Sequence, residues 1–258
     1  MNIRPHIPNL FTIGNLVCGS LAVILIAQEG FIHWAVLLIG LAGILDVFDG
    51  AVARALGVSS PIGRELDSLA DVISFGLAPS VMVYSMMETL LPSQFEFLKY
   101  IAFLNVVCAA IRLAKFNIST DQTTDFSGMP SPANGIFWAS IGAYFWEILE
   151  LQTSQIPGWH ITYFTVTKFT PFVLLGLAIL FVLTSLLMVS KIRMFSFKFK
   201  KGGFATNKIP FIFIGTVLLF PFITWFGFHS FFLCVPLGIL WYIVLSFVYH
   251  FNLKKEVA

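Results

Sequence analysis

Charge is what this sequence lacks most. Of 258 residues only 11% are Asp, Glu, Lys or Arg, against 58% hydrophobic; soluble domains carry roughly 25% charged residues. A chain so poor in charge cannot keep water around its whole surface, so its solvent is mostly lipid. Cysteine is scarce as well. Cys18, Cys108 and Cys234 stand isolated in apolar runs with no C-x-x-C spacing, which excludes a disulfide framework or a cysteine zinc site and leaves them as small buried hydrophobes. The net charge of +2 is too small to make nucleic acid a partner. No internal repeat, low-complexity segment or soluble domain breaks the pattern, so residues 1–258 read as one integral-membrane domain. No cleavable signal peptide is expected: the first apolar stretch is too long for an h-region and has no A-x-A site behind it.

What is present is a series of apolar runs of membrane-crossing length. Eight spans are predicted: Leu10–Ala27, Phe31–Phe48, Leu66–Leu90, Phe97–Leu113, Ile136–Leu149, Phe169–Val189, Ile209–Phe226 and Phe231–Phe251. The fold class is therefore all-α, a polytopic transmembrane helical bundle. With eight spans, only Lys99 and Lys168 of the 15 basic residues fall on one side; the rest gather on the other. Positive charge marks the cytoplasmic side. Both termini are thus expected in the cytoplasm, and the protein in the cytoplasmic (inner) membrane. The head, residues 1–9, is expected to lie along the interface. Residues 191–208 interleave Lys and Arg with Phe, which suits either anionic lipid head groups or ordinary positive-inside topology. His33, His160 and His229 fall at the far face and His250 near the tail; none has a partner at metal-ligand spacing, so they read as interfacial.

Against this apolar background stand four aspartates: Asp46, Asp49, Asp67 and Asp71. Carboxylates at the edge of hydrocarbon are costly and mark function. Spacings of three and four put each pair on one face of its helix. A short cytoplasmic connection brings both pairs to one membrane depth. Four carboxylates form a hard-oxygen set suited to two divalent cations, Mg²⁺ or Mn²⁺, and two such ions can clamp a phosphoryl group during displacement. Between the pairs, Gly50 lets a ligand approach the backbone, Ala53 keeps the next turn thin, and Arg54 can bind phosphate in bidentate fashion. Gly63 either lets the third span start close against the second or serves only as a turn residue. A cation-coupled transporter would spread acidic residues through the membrane and show broken or repeated helices; here they cluster at one face.

The block Asp46-x-x-Asp49-Gly50-x-x-Ala53-Arg54, eight residues, Gly63-x-x-x-Asp67-x-x-x-Asp71 resembles, without departure, the signature of the CDP-alcohol phosphotransferase family. The resemblance implies an enzyme that moves a phosphatidyl or similar group from a CDP-linked donor to an alcohol and releases CMP. It implies Asp46, Asp49 and Asp67 as metal ligands, and Asp71 as ligand and general base. Gly50, Ala53 and Arg54 would line the CDP pocket. Asn15 would reach the nucleotide or metal region, or simply bond a neighbouring helix. A homodimer is the family's habit.

Three further stretches resemble the serine-accepting, integral-membrane branch of that family found in bacteria and archaea: Ile7-Pro-Asn9-Leu-Phe-Thr12-Ile-Gly-Asn15-Leu-Val-Cys18-Gly19, Ala110-Ile-Arg112-Leu-Ala-Lys-Phe-Asn117 and Gly128-Met-Pro130-Ser131-Pro132-Ala133. Ser190-Lys-Ile-Arg193 fits as well. The substrates implied are CDP-diacylglycerol and L-serine, with membrane lipids as surroundings. Serine is a zwitterion, which suits Arg112, Asn117, Ser190 and Arg193 as its contacts; for the two arginines, snorkelling to the interface is the other reading. Glycerol 3-phosphate or an inositol phosphate would also welcome cations, so charge does not choose the acceptor.

Overall fold

The computed structural model describes residues 6–28, 31–58, 60–118, 126–153, 160–194, 208–228 and 230–257. The first residues of the expected head, Asp121 and Asp125, His229, and Lys198, Lys200 and Lys201 of the basic segment lie outside the described residues.

Each predicted span falls on helix. The first four are α1 (Ile7–Ala27), α2 (Ile32–Leu56), α3 (Pro61–Leu90) and α4 (Ser93–Ile118). Then come α5 (Ser131–Thr153), α6 (His160–Met188), α7 (Lys208–Val217), α8 (Phe220–Phe228) and α9 (Cys234–Val257). Among the described residues, five stretches are long and apolar enough to cross a membrane: α1 to α4 and Ile209–Phe226. Val173–Met188 and Cys234–His250 are shorter apolar stretches. The seventh predicted span is broken between α7 and α8. Pro221 has no N–H to give to the carbonyl four residues back, and the chain turns at Leu218 and Leu219.

The helices fall into inner and outer ones. On α2, Leu37, Ile44, Val47 and Phe48 are exposed, as a lipid-facing stripe requires. On α5, Phe137, Trp138, Ala139, Ile141, Ala143 and Phe145 are all buried, which is the pattern of a helix enclosed by its neighbours. Trp138 gives its indole N–H to Thr184 Oγ1 of α6 at 2.9 Å and meets Phe181 edge-on. A two-residue antiparallel clip, β1 (Phe126–Ser127) with β2 (Arg193–Met194), ties the entrance of α5 to the exit of α6. Beside it Gly128 has φ +75° and lies against the Met188 carbonyl, where a side chain would not fit.

Two local features place the aspartates. The first is the α2–α3 turn. Gly57 ends α2 at φ +62° with its N–H on the Arg54 carbonyl, and Val58 N–H returns to the Ala53 carbonyl, a left-handed helix stop. Ser60 then caps α3, its Oγ accepting the Gly63 N–H at 3.4 Å, with Pro61 in the first turn where its missing donor costs nothing. So Gly-Val-Ser-Ser-Pro reads as stop and start, and the two aspartate pairs face each other across a tight turn.

The second feature is a π-helical stretch in α3, Val72–Leu77, directly after Asp71. Such bulges recur at functional sites. Pro79 gives no N–H to the Phe75 carbonyl. Asn105 of α4 takes over, donating to the Phe75 and Gly76 carbonyls at 3.2 and 2.9 Å, and Asn134 of α5 braces the Asn105 oxygen at 2.7 Å. Small residues let the neighbours close in: a Cβ on Gly135 would sit 2.8 Å from Phe75 Cα, and one on Gly19 2.7 Å from Ser74 Cα. Three helices thus converge on the segment that carries Asp71.

Candidate active site

Asp46 and Asp49 from α2 and Asp67 from α3 each offer an oxygen, and the three lie within 4.8 Å of one another. Asp49 is 8% exposed. Carboxylates this close repel strongly in a poorly solvated place, and a hard cation is the partner that removes the conflict. A further observation points the same way: Asp67 Oδ1 is buried without a hydrogen-bond partner, where a buried polar atom ordinarily has one. The donor set is all oxygen and fits a divalent ion.

Asp71 stands apart from that trio. It is 6% exposed, one turn further into the bundle, and accepts the Asn15 amide N–H on Oδ1 at 3.3 Å. Asn15 is fully buried, and its backbone carbonyl accepts the Ser74 hydroxyl at 3.0 Å. Asn15 therefore sits on the aspartate side rather than in the adjoining cleft.

That cleft has a volume of about 190 Å³ and opens beside Asp49 and Asp67. Gly50 and Ala53 line it from α2 and Gly63 from the start of α3. Arg54 is exposed and folds back over Gly50, whose missing Cβ would lie 3.2 Å from Arg54 Nη1. Gly63 is more than a turn residue: a Cβ there would meet Asn9 Oδ1 at 2.7 Å. The opposite wall comes from α1, through Pro8, Asn9 and Thr12. Thr12 is 2% exposed and donates to Asp49 Oδ2 at 2.8 Å. Sequence reasoning quoted Asn9 and Thr12 but gave them no part; a hydroxyl at the position of α1 that faces α2 was the available signal. Arg64 also lines the cleft.

The four residues expected at the acceptor make hydrogen bonds to different partners. Arg112 lies within electrostatic reach of Asp71 and Asp46. Its Nη1 donates to Ser131 Oγ at 3.2 Å, while its Nε is buried and unpartnered. Asn117 bonds Ser68 Oγ at 3.0 Å and Glu65 Oε2 at 3.3 Å, which ties α4 to the outer face of α3. Ser190 Oγ donates to the Leu187 carbonyl at 2.8 Å and so finishes α6. Arg193 is exposed, and its backbone N–H bonds His250 Nδ1 at 3.3 Å.

A partly buried all-oxygen cluster facing a cleft of glycine, alanine and arginine could hold a divalent cation beside a phosphate-sized ligand. A family model for CDP-alcohol phosphatidyltransferase matches residues 5–167. The chain belongs to this family. Its match covers α1 to α5 and every aspartate of the cluster. Among its relatives is a CDP-diacylglycerol–serine O-phosphatidyltransferase of Bacillus subtilis (strain 168), 43% identical over 51% of this chain and 72% of the relative. A protein of the same name from Helicobacter pylori (strain ATCC 700392 / 26695) is 33% identical over 83% of this chain and 82% of the relative. An archaetidylserine synthase of Methanothermobacter thermautotrophicus is 35% identical over 50% of this chain and 54% of the relative. As a CDP-alcohol phosphatidyltransferase the protein is a membrane-embedded transferase of phospholipid biosynthesis, and its family works with divalent cations.

Proposed function

We propose that the protein transfers the phosphatidyl group of CDP-diacylglycerol to the hydroxyl of L-serine, giving phosphatidylserine and CMP. The convergence of Asp46, Asp49 and Asp67 beside the Gly50–Ala53 cleft carries this reading, and the names of the relatives supply its acceptor. Two divalent cations, Mg²⁺ or Mn²⁺, held by Asp46, Asp49 and Asp67 with Asp71, would offset charge on the diphosphate oxygens. Gly50 and Ala53 leave room for the nucleotide, and Arg54 meets its phosphate as a bidentate donor.

Asp71 is the base. Asn15 occupies its Oδ1, so Oδ2 accepts the proton of the serine hydroxyl. The serine oxygen then bonds to the phosphorus that carries diacylglycerol, and the bond from that phosphorus to the CMP oxygen breaks. Arg112 has a free buried N–H close to Asp71 and takes the serine carboxylate. The Asn117 and Ser190 side chains bond other groups, and Arg193 is exposed with its observed bond made by the backbone, so none of the three is assigned a contact with the acceptor. We place the enzyme in the cytoplasmic membrane as a homodimer, with both termini and the site facing the cytoplasm; the one-sided placement of Lys and Arg supports that orientation.

The test is CMP release by purified protein from CDP-diacylglycerol with L-serine, glycerol 3-phosphate and an inositol phosphate in parallel. Release with serine alone is expected. Equal release with glycerol 3-phosphate would reassign the acceptor.

A further inference from the structure

We infer that α1 forms the outer layer of the cation site, with Thr12 and Asn15 acting as positioning residues for Asp49 and Asp71. This rests on the cation-dependent reading above. Thr12 aims its hydroxyl at Asp49 Oδ2, 2.8 Å away, while its other acceptor, the Pro8 carbonyl, is at 3.4 Å. Asn15 follows one turn later on the same face and holds Asp71 Oδ1. Gly19 comes one turn after that. Its lack of a side chain lets Ser74 reach the Asn15 carbonyl at 3.0 Å, which fixes the α1–α3 spacing at Asp71. Positions 12, 15 and 19 thus make one stripe, and each serves the carboxylates of α2 or α3.

The physical reason is ligand preorganisation. A carboxylate free to rotate must be ordered when it binds an ion. A donor fixed on one oxygen has already ordered it and leaves the other oxygen's lone pairs directed at the site. Bonds of a donor to a charged oxygen are among the stronger ones. None of the three α1 positions belongs to the aspartate signature, which begins at Asp46.

The test uses the purified full-length protein with Mn²⁺ as probe, its free concentration followed by electron paramagnetic resonance without lipid substrate. Thr12→Val is expected to raise the Mn²⁺ Kd by about 10-fold or more, whereas Thr12→Ser keeps the wild-type value. Thr12→Ala removes the hydroxyl with less crowding and serves as the second variant if Thr12→Val does not fold. Asn15→Leu is expected to lower kcat for CMP release by about 10-fold or more and to leave KM for CDP-diacylglycerol in place. Wild-type Kd in the hydroxyl-free variants would overturn the proposal, as would wild-type kcat in Asn15→Leu. Equal loss of affinity in Thr12→Ser would assign the effect to packing and overturn it too. Wild-type protein that binds no Mn²⁺ would instead sink the cation reading itself, and the inference with it.

Discussion

The two sides of the aspartate cluster are built differently. On the proposed nucleotide side, Asp46, Asp49, Gly50, Ala53, Gly63 and Asp67 come from two consecutive helices and one tight turn, with α1 closing the opposite wall. On the proposed acceptor side, Arg112 comes from α4, its partner Ser131 from α5, and the other expected contacts from the exits of α4 and α6. The first side is fixed by local geometry: helical spacing, a glycine stop and a serine cap. The second exists only after distant helices have packed. The aspartate pairs and the glycines between them can therefore be written as one short pattern, while the proposed acceptor contacts are distributed along the chain.

That contrast can be broken most sharply at the cluster itself. Asp67→Asn keeps the shape and removes one of three charges; CMP release is expected to fall by more than about 10³-fold, with the loss of several kcal/mol of charge stabilisation. Asp71→Asn should cost about 10²–10³-fold in turnover while the protein still binds CDP with cation, because Asp71 stands outside the trio. A CMP-release assay paired with CDP binding separates the two. Wild-type turnover in Asp71→Asn would remove it as the base.

On the acceptor side Arg112→Gln should reduce kcat/KM for serine by about 10²-fold, the worth of one charge-assisted contact of roughly 1.5–3 kcal/mol, and leave KM for CDP-diacylglycerol unchanged. Gly50→Ala is a smaller perturbation. The new methyl would press on Arg54 Nη1 at 3.2 Å, and an exposed arginine can move, so KM for CDP-diacylglycerol should rise only about threefold, well under the 1.4 kcal/mol of a tenfold change. Arg193→Ala should be the mildest. Its side chain is exposed and its observed bond is made by the backbone, so serine kinetics should stay within the roughly 0.5 kcal/mol of a surface change. A large rise in serine KM there would join Arg193 to the acceptor side after all.

The same contrast explains what could be read in advance. The helices were legible because lipid demands long apolar runs, and the two aspartate pairs because spacings of three and four survive in any helix. The enclosed α5 was legible only as a short span: its sequence holds small and polar residues such as Ser140, Gly142 and Ala143 among its aromatics, since it packs against protein on most sides. The break at Pro221 was visible in principle, as a proline within an apolar run. The π-helical stretch was not. Pro79 hinted at a lost backbone bond, but its repair by Asn105, braced in turn by Asn134, joins three helices and has no short-range signature. Asn15 was named in advance, but Thr12 needed the same kind of knowledge, namely which face of α1 turns toward α2. Arg112 was found by motif, yet its bond to Ser131 of α5 and its buried, unpartnered Nε are features that only packing supplies.

The account stands on carboxylates of α2 and α3 gripping divalent cations. Crystals of the protein grown with Mn²⁺ and CDP, measured at the manganese absorption edge, test it most directly. Anomalous peaks bonded to Asp46, Asp49 and Asp67 and touching the diphosphate are the predicted result. Bound CDP with no peak among those three side chains would contradict it.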